Sequence, residues 1–184
     1  MARLPIQSVE SATGSNKDIF AALQKGLGMV PNMARVMANS PAVLQAWVQF
    51  NGTLGTARLS SQLREQIALL TAEANACTYC LSAHSVLGKM VGLNQAQIDG
   101  ARHRESTDAR TSAALKFAQA VIDRRGGIGE SDIKAVRAAG FADAEIAEIV
   151  ATVALNFFTN FFNRAFDVDV DFPRVEAHGH AMAS

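Results

Sequence analysis

The chain has 184 residues, 49% of them hydrophobic, which is enough apolar side chain for one packed domain and too much for a disordered segment. Seventeen basic and seventeen acidic residues cancel to a formal net charge of zero, which removes the electrostatic case for nucleic acid or an anionic membrane surface as partner. No apolar run reads as a membrane span of roughly 20 residues, and Met1-Ala2-Arg3-Leu4-Pro5 lacks the apolar core of a secretory signal, so the expected address is cytoplasmic.

β-branched alternation never lasts more than a few residues, whereas helical periodicity recurs throughout, so the expected fold class is all-α. Residues 17–25 predict a short helix closed by Gly26. Pro31 suits a first helical turn and opens a second helix to about Ala38. Pro41 opens a longer one through Trp47 to about Leu54, and Ser60 is the N-cap of a helix to about Ala74. Asn75 breaks the pattern, and a new helix starts at Cys77 and runs to Val91, closed by Gly92. Asn94 with Gln97 forms a capping pair for a short helix to about Ala101. Helices are expected over 108–124, ended by Gly126-Gly127, and over 131–138, stopped by Gly140. The last starts near Asp143, with the apolar stripe Ile146, Ile149, Val150, Val153, Phe157, Phe158 and Phe161. The stretch Ile146 to Phe166, broken by Asn and Arg, therefore reads as a buried helix, with its four phenylalanines between 157 and 162 as core or subunit interface rather than a cofactor site. Asn156, Asn160 and Asn163 form a polar stripe on it, either solvated or paired across a helix contact. Met29, Met33 and Met37 read as a core or interface stripe, and Arg102-His103-Arg104 as a solvated charge run. No linker divides the chain, which predicts one domain over 1–184. Its core lies at about 40–165, behind short N-terminal helices and ahead of an extended tail at 167–184.

The two cysteines, Cys77 and Cys80, are three residues apart. The loop they close is too short to staple a fold, and in a reducing compartment such a pair is more often a redox couple or part of a metal site. On a helix Cys80 and His84 share one side, with Cys77 a turn earlier. An imidazole there can take a thiol proton and leave the reactive thiolate, which a helix N-terminus also favours. A thiolate beside a second thiol can cleave a peroxide O–O bond, and the resulting sulfenic acid is captured as a disulfide. His84 needs a carboxylate to hold its tautomer. Glu65 and Glu73 are the candidates, and spacing does not choose between them, although each on its own would ordinarily be a solvated carboxylate. Cys77, Cys80 and His84 also offer three metal ligands. A structural zinc site takes four, and His103 is the only other histidine outside the tail, so no metal is expected.

The segments Leu59-Ser60-Ser61-Gln62-Leu63-Arg64-Glu65-Gln66-Ile67-Ala68 and Glu73-Ala74-Asn75-Ala76-Cys77-Thr78-Tyr79-Cys80-Leu81-Ser82-Ala83-His84 resemble the core signature of the AhpD-like alkylhydroperoxidases of the carboxymuconolactone decarboxylase superfamily. Asn160-Phe161-Phe162-Asn163-Arg164 resembles that family's final helix. The resemblance implies an AhpD-like helical bundle in which Glu65 orients His84, Cys80 is the peroxidatic thiol, and Cys77 is the resolving thiol and proton donor. The family relay has a histidine between the cysteines. Tyr79 stands there in this chain, and a phenol can hydrogen-bond but is no base near neutral pH. The resemblance implies further that no cofactor is used and that the chain assembles as a homotrimer or homohexamer. The expected activity is a thiol peroxidase acting on a hydroperoxide and recycled by an external dithiol reductant. The alternatives are a redox-responsive interaction protein with little turnover and an enzyme of the lactone decarboxylase branch. The cysteines count against the last, whose chemistry has no use for them.

Overall fold

The structure is a computed structural model and describes residues 2–178. It is all-α, with no strand among the described residues. The helices are α1 (Gly14–Leu27), α2 (Asn32–Met37), α3 (Pro41–Gly55), α4 (Ser61–Ala74), α5 (Thr78–Met90), α6 (Gln95–Arg102), α7 (Ala109–Asp123), α8 (Glu130–Ala138) and α9 (Asp143–Phe166). The expected boundaries hold closely from α2 onward. The helix predicted over 17–25 is longer: it starts at Gly14 and ends at Gly28, whose φ of 75° supplies the left-handed cap.

Local chemistry accounts for the helix starts. The Ser60 hydroxyl accepts the Leu63 N–H at 3.2 Å, opening α4. Asn94 and Gln97 exchange side chain-to-backbone bonds at 2.9 and 3.0 Å, opening α6. Asp108 accepts the Thr111 N–H at the head of α7, and Glu145 accepts the Ala142 N–H at the head of α9.

α4 is the central helix, packed against α5, α6, α7 and α9. That explains why Ile67, Leu69, Leu70 and Ala72 are all buried, with no solvent face left along its second half. Each large apolar side chain removed from water contributes about 1.5–3 kcal/mol. One continuous core extends from Phe20 to Val168, and Met33 and Met37 belong to it.

Two sequence expectations are corrected here. On α9, Ile146, Ile149 and Val153 face the core, but Val150, Phe158 and Phe161 are exposed, Phe161 at 55%. The inward face of the second half carries Asn156, Thr159, Asn160 and Asn163 instead. The period holds and Ile146, Ile149, Val153 and Phe157 lie on the core side, but in the second half the buried positions go largely to amides, because a helical repeat marks two faces without saying which one is buried. Among the described residues α9 is also the one helix long and apolar enough to cross a membrane, yet this amide-rich face packs on α4, and α9 also touches α3, α5 and α7. The second correction concerns Arg102, read as part of a solvated run, and Glu73, read as a candidate partner of His84 or else an ordinary solvated carboxylate. Both are buried, joined Nε to Oε2 at 2.7 Å.

That buried pair holds the segment after α9. The chain leaves α9 at Asp167, in the left-handed region, and runs extended back over the bundle. Asp171 accepts the Asn32 N–H at 2.6 Å, and the Val175 N–H donates to the Ser82 hydroxyl at 2.9 Å. Arg102 donates to the Glu176 carbonyl at 2.7 Å, while Glu73 accepts the His178 N–H at 2.6 Å. The tail expected at 167–184 is thus extended but docked as far as 178; residues 179–184 lie outside the described residues.

Candidate active site

The turn between α4 and α5 creates the site. α4 ends at Asn75 with the Cys77 N–H bonded to the Ala72 carbonyl at 2.9 Å and the Ala76 N–H to the Glu73 carbonyl at 3.0 Å. This is the Schellman closure, and it puts Ala76 in the left-handed region, φ 49°, where glycine is usual. Cys77 follows at once as the N-cap of α5, its sulfur accepting the Cys80 N–H at 3.3 Å. The two helices therefore fold back on each other, and Glu65 on α4 comes within reach of His84 on α5.

The Glu65 carboxylate accepts the His84 Nδ1–H at 2.7 Å, each side chain about 20% exposed. The alternative carboxylate, Glu73, is committed to Arg102. With Nδ1 carrying the hydrogen, Nε2 of the neutral ring is the basic nitrogen. Burial pulls the His84 pKa down, but the charge of Glu65, its hydrogen bond and the Cys77 sulfur raise it above the ordinary value.

The two cysteine sulfurs are 2.6 Å apart, both residues buried, at 1% and 3% exposure. Their electrostatics diverge. The Cys80 thiol bonded to Cys77 lowers the Cys77 pKa. Burial opposes that, and the Cys80 N–H, His84 and Arg164 assist it. Burial pushes Cys80 up and Cys77 adds to this, while the amides of Asn163 and Asn160 pull it down. Of the two sulfurs, Cys77 is the one whose surroundings favour a negative charge. The i to i+4 spacing pairs His84 with Cys80, but the charge of the imidazole favours the thiolate of Cys77, about two turns before it.

Tyr79 does not sit in this relay. Its hydroxyl accepts the Met33 N–H at 3.1 Å at the start of α2, its ring meets Phe172 edge-on with centroids 5.8 Å apart, and burial drives its pKa far upward. It is a post joining α5 to α2 and the returning tail.

A cleft of about 430 Å³ opens beside the thiols, lined by Cys77, Tyr79, Asn163, Arg164, Val168 and Arg174 among others. Cys77 forms part of its wall; Cys80 lies behind. Sequence reasoning missed two contributors. Asn163 donates from Nδ2 to the Cys80 sulfur at 3.2 Å, and the tail supplies Asp167 to Val170 of the cleft wall. The regular spacing of the α9 asparagines was the available signal for the first. Among the described residues no cluster of three or more His, Cys, Asp or Glu side chains is arranged to hold a metal ion.

Residues 41–123 match the model of the carboxymuconolactone decarboxylase family. Solved structures of the same fold include a peroxidase-related protein from Ralstonia eutropha described as an alkylhydroperoxidase AhpD core, 23% identical over 92% of each chain with a TM-score of 0.84. A peroxidase-related protein from Silicibacter sp. is 25% identical, covering 95% of this chain and 92% of that one, with a TM-score of 0.81. A cysteine-to-alanine variant of the debrominase Bmp8, in complex with 2,3,4-tribromopyrrole, is 20% identical over 93% and 92% of the two chains, with a TM-score of 0.78. No curated protein matches the chain.

Proposed function

We propose that this chain is an AhpD-like member of the carboxymuconolactone decarboxylase superfamily and a thiol peroxidase reducing an organic hydroperoxide at Cys77 and Cys80. The observation that carries the reading is a row of two pairs, Glu65 with His84 at 2.7 Å and Cys77 with Cys80 at 2.6 Å, in which the charge of His84 favours the Cys77 thiolate.

The steps follow from that row. His84 Nε2 takes the Cys77 proton, and Glu65 stabilises the imidazolium. The Cys77 thiolate takes the Cys80 proton. The Cys80 thiolate attacks the terminal peroxide oxygen: an S–O bond forms, the O–O bond breaks, and the alkoxide leaves as alcohol with the proton from His84. Cys77 then gives its proton to His84 and attacks the Cys80 sulfenic acid. The S–S bond forms and hydroxide leaves as water with the same proton. An external dithiol reduces the disulfide by exchange, which suits a reducing compartment such as the cytoplasm. Cys77 lining the cleft favours one variation, in which Cys77 attacks and Cys80 resolves. The outward stripe of Val150, Phe158 and Phe161 supports a homo-oligomer, as a trimer or hexamer.

Single-cysteine variants test the scheme. Cys77→Ser should consume one equivalent of peroxide and leave a trappable sulfenic acid on Cys80, and Cys80→Ser should consume none. A sulfenic acid trapped on Cys77 alone selects the reversed order. Wild-type turnover in both variants sinks the peroxidase reading. Reversible cycling of the cysteine pair without turnover would mark a redox switch instead, and product from carboxymuconolactone would mark the decarboxylase branch.

A further inference from the structure

α9 buries two amides against the thiols, and their polar atoms are oddly used. Asn160 is 0% and Asn163 3% exposed, deep enough that each donor and acceptor should have a partner. The Asn160 Oδ1 accepts from the Asn75 amide at 2.9 Å, which fixes the orientation of the group and leaves its Nδ2 with no partner. Asn163 turns its Nδ2 to two sulfurs, Cys80 Sγ and Met33 Sδ, both at 3.2 Å, and its Oδ1 has none. A thiol and a thioether are weak acceptors. The amide N–H groups are therefore under-used in the dithiol state, and a negatively charged sulfur is what would use them.

The other groups around the pair serve Cys77. His84 on α5, Arg164 on α9 and the Cys80 backbone N–H all favour charge on that sulfur. Cys80 faces Cys77, the phenol of Tyr79, and the two amides, with no cation among them. Asp171, on the tail, lies beside Tyr79 rather than the sulfurs. A thiolate on Cys80 has to be formed in either order of attack, as nucleophile toward the peroxide or toward the sulfenic acid. Desolvation alone makes it costly.

We propose that Asn163 and Asn160 form a cradle for the Cys80 thiolate, Asn163 donating its Nδ2–H to the reacting sulfur and Asn160 bringing its free Nδ2–H to complete the cradle. When the Cys80 S–H bond breaks and the proton joins the Cys77 thiolate, net charge is conserved and moves to Cys80, where the two N–H groups receive it. No group has to reorganise, because Asn75 and Met33 already hold the amides in place. The inference deepens the peroxidase reading but needs only that Cys80 become a thiolate.

The test is an ultraviolet thiolate titration in the Cys77→Ser background, where Cys80 is the only thiol. Asn163→Leu and Asn160→Leu should each lower the thiolate fraction below the midpoint by about tenfold, the loss of one hydrogen bond to a charged group. Asn163→Asp, which keeps the shape but removes the donor, should lower it at least as far. A purely structural role would move the thermal midpoint and leave the titration where it is. Unchanged titrations in the folded variants overturn the cradle, and if one amide variant does not fold, the other two carry the measurement. The titration involves no peroxide, so a shifted midpoint in a protein without peroxidase turnover would sink the proposed function and leave the cradle standing.

Discussion

Glu65→Gln removes one charge and almost no volume at the point where the proposed relay begins. The glutamine can still accept the His84 Nδ1–H, so the ring keeps its place across the 2.7 Å contact. What is lost is the field that overrides the burial of the imidazole. A hydrogen bond to a charged group contributes about 1.5–3 kcal/mol. Both side chains are about 20% exposed, so solvent screens part of that, and the lower end, about 1.5–2 kcal/mol, applies. At tenfold per 1.36 kcal/mol the rate of Cys77 activation should fall about 10- to 30-fold near neutral pH. His84→Ala, which deletes the base, should cost about 10²- to 10⁴-fold. The assay is single-turnover disulfide formation with excess hydroperoxide, followed across pH. The Glu65→Gln deficit should close at alkaline pH, where hydroxide takes the proton that His84 otherwise takes. The pair has a stability signature as well. Because the folded His84 pKa is raised, its stabilising contribution is fully present below about pH 6.5. It is lost as pH rises through the folded value, and it should be absent from the variant. A Glu65→Gln enzyme with wild-type rate and pH profile would refute the relay.

Glu73→Gln should act on stability rather than rate, because it leaves Arg102 buried beside a neutral partner. A loss of about 3–5 kcal/mol in chemical denaturation is expected, whereas the rate in the folded protein should fall less than in Glu65→Gln. Ala76→Gly should raise the thermal midpoint by relieving a left-handed alanine, a gain of about 0.5–1 kcal/mol; a lower midpoint would contradict the turn geometry. Phe161→Glu places a charge on the exposed apolar stripe of α9. Sedimentation should show the oligomer giving way to a 19.6 kDa species, and a wild-type protein already at that mass would remove the assembly proposal.

Local chemistry was legible in the sequence wherever a short-range rule governs it. The caps at Ser60 and Asn94, the break at Asn75 and the start of α5 at the cysteines each depend on residues within one turn of one another, and each lies where spacing puts it. The pairing of Glu65 with His84 was readable only in part. Spacing left Glu73 as an equal candidate, and it was a third residue, Arg102, that engaged Glu73. Nothing near Arg102 in the sequence marks it as buried, since the groups that satisfy it come from α4 and from the segment after α9. The second half of α9 was readable only in part for a related reason. Phenylalanines at helical spacing read as core or subunit interface, but in this bundle the core position opposite the thiols is taken by amides, and the rings at 158 and 161 are left outside.

The bond from Asn32 to Asp171 joins residues 139 positions apart. During synthesis α1 to α5 leave the ribosome long before that partner exists, and so do Cys77 and Cys80. Until α9 and residues 167–176 follow, the sulfurs lack both the amides behind them and the wall beside them. Between residue 80 and residue 167, at about 5–20 residues per second, the nascent chain therefore carries an uncovered dithiol. The closing of the site depends on long loop closure rather than on helix formation. Premature oxidation of the pair on the ribosome, before α9 and the segment after it cover the sulfurs, is the hazard this chain order creates, and a reducing compartment is what removes it.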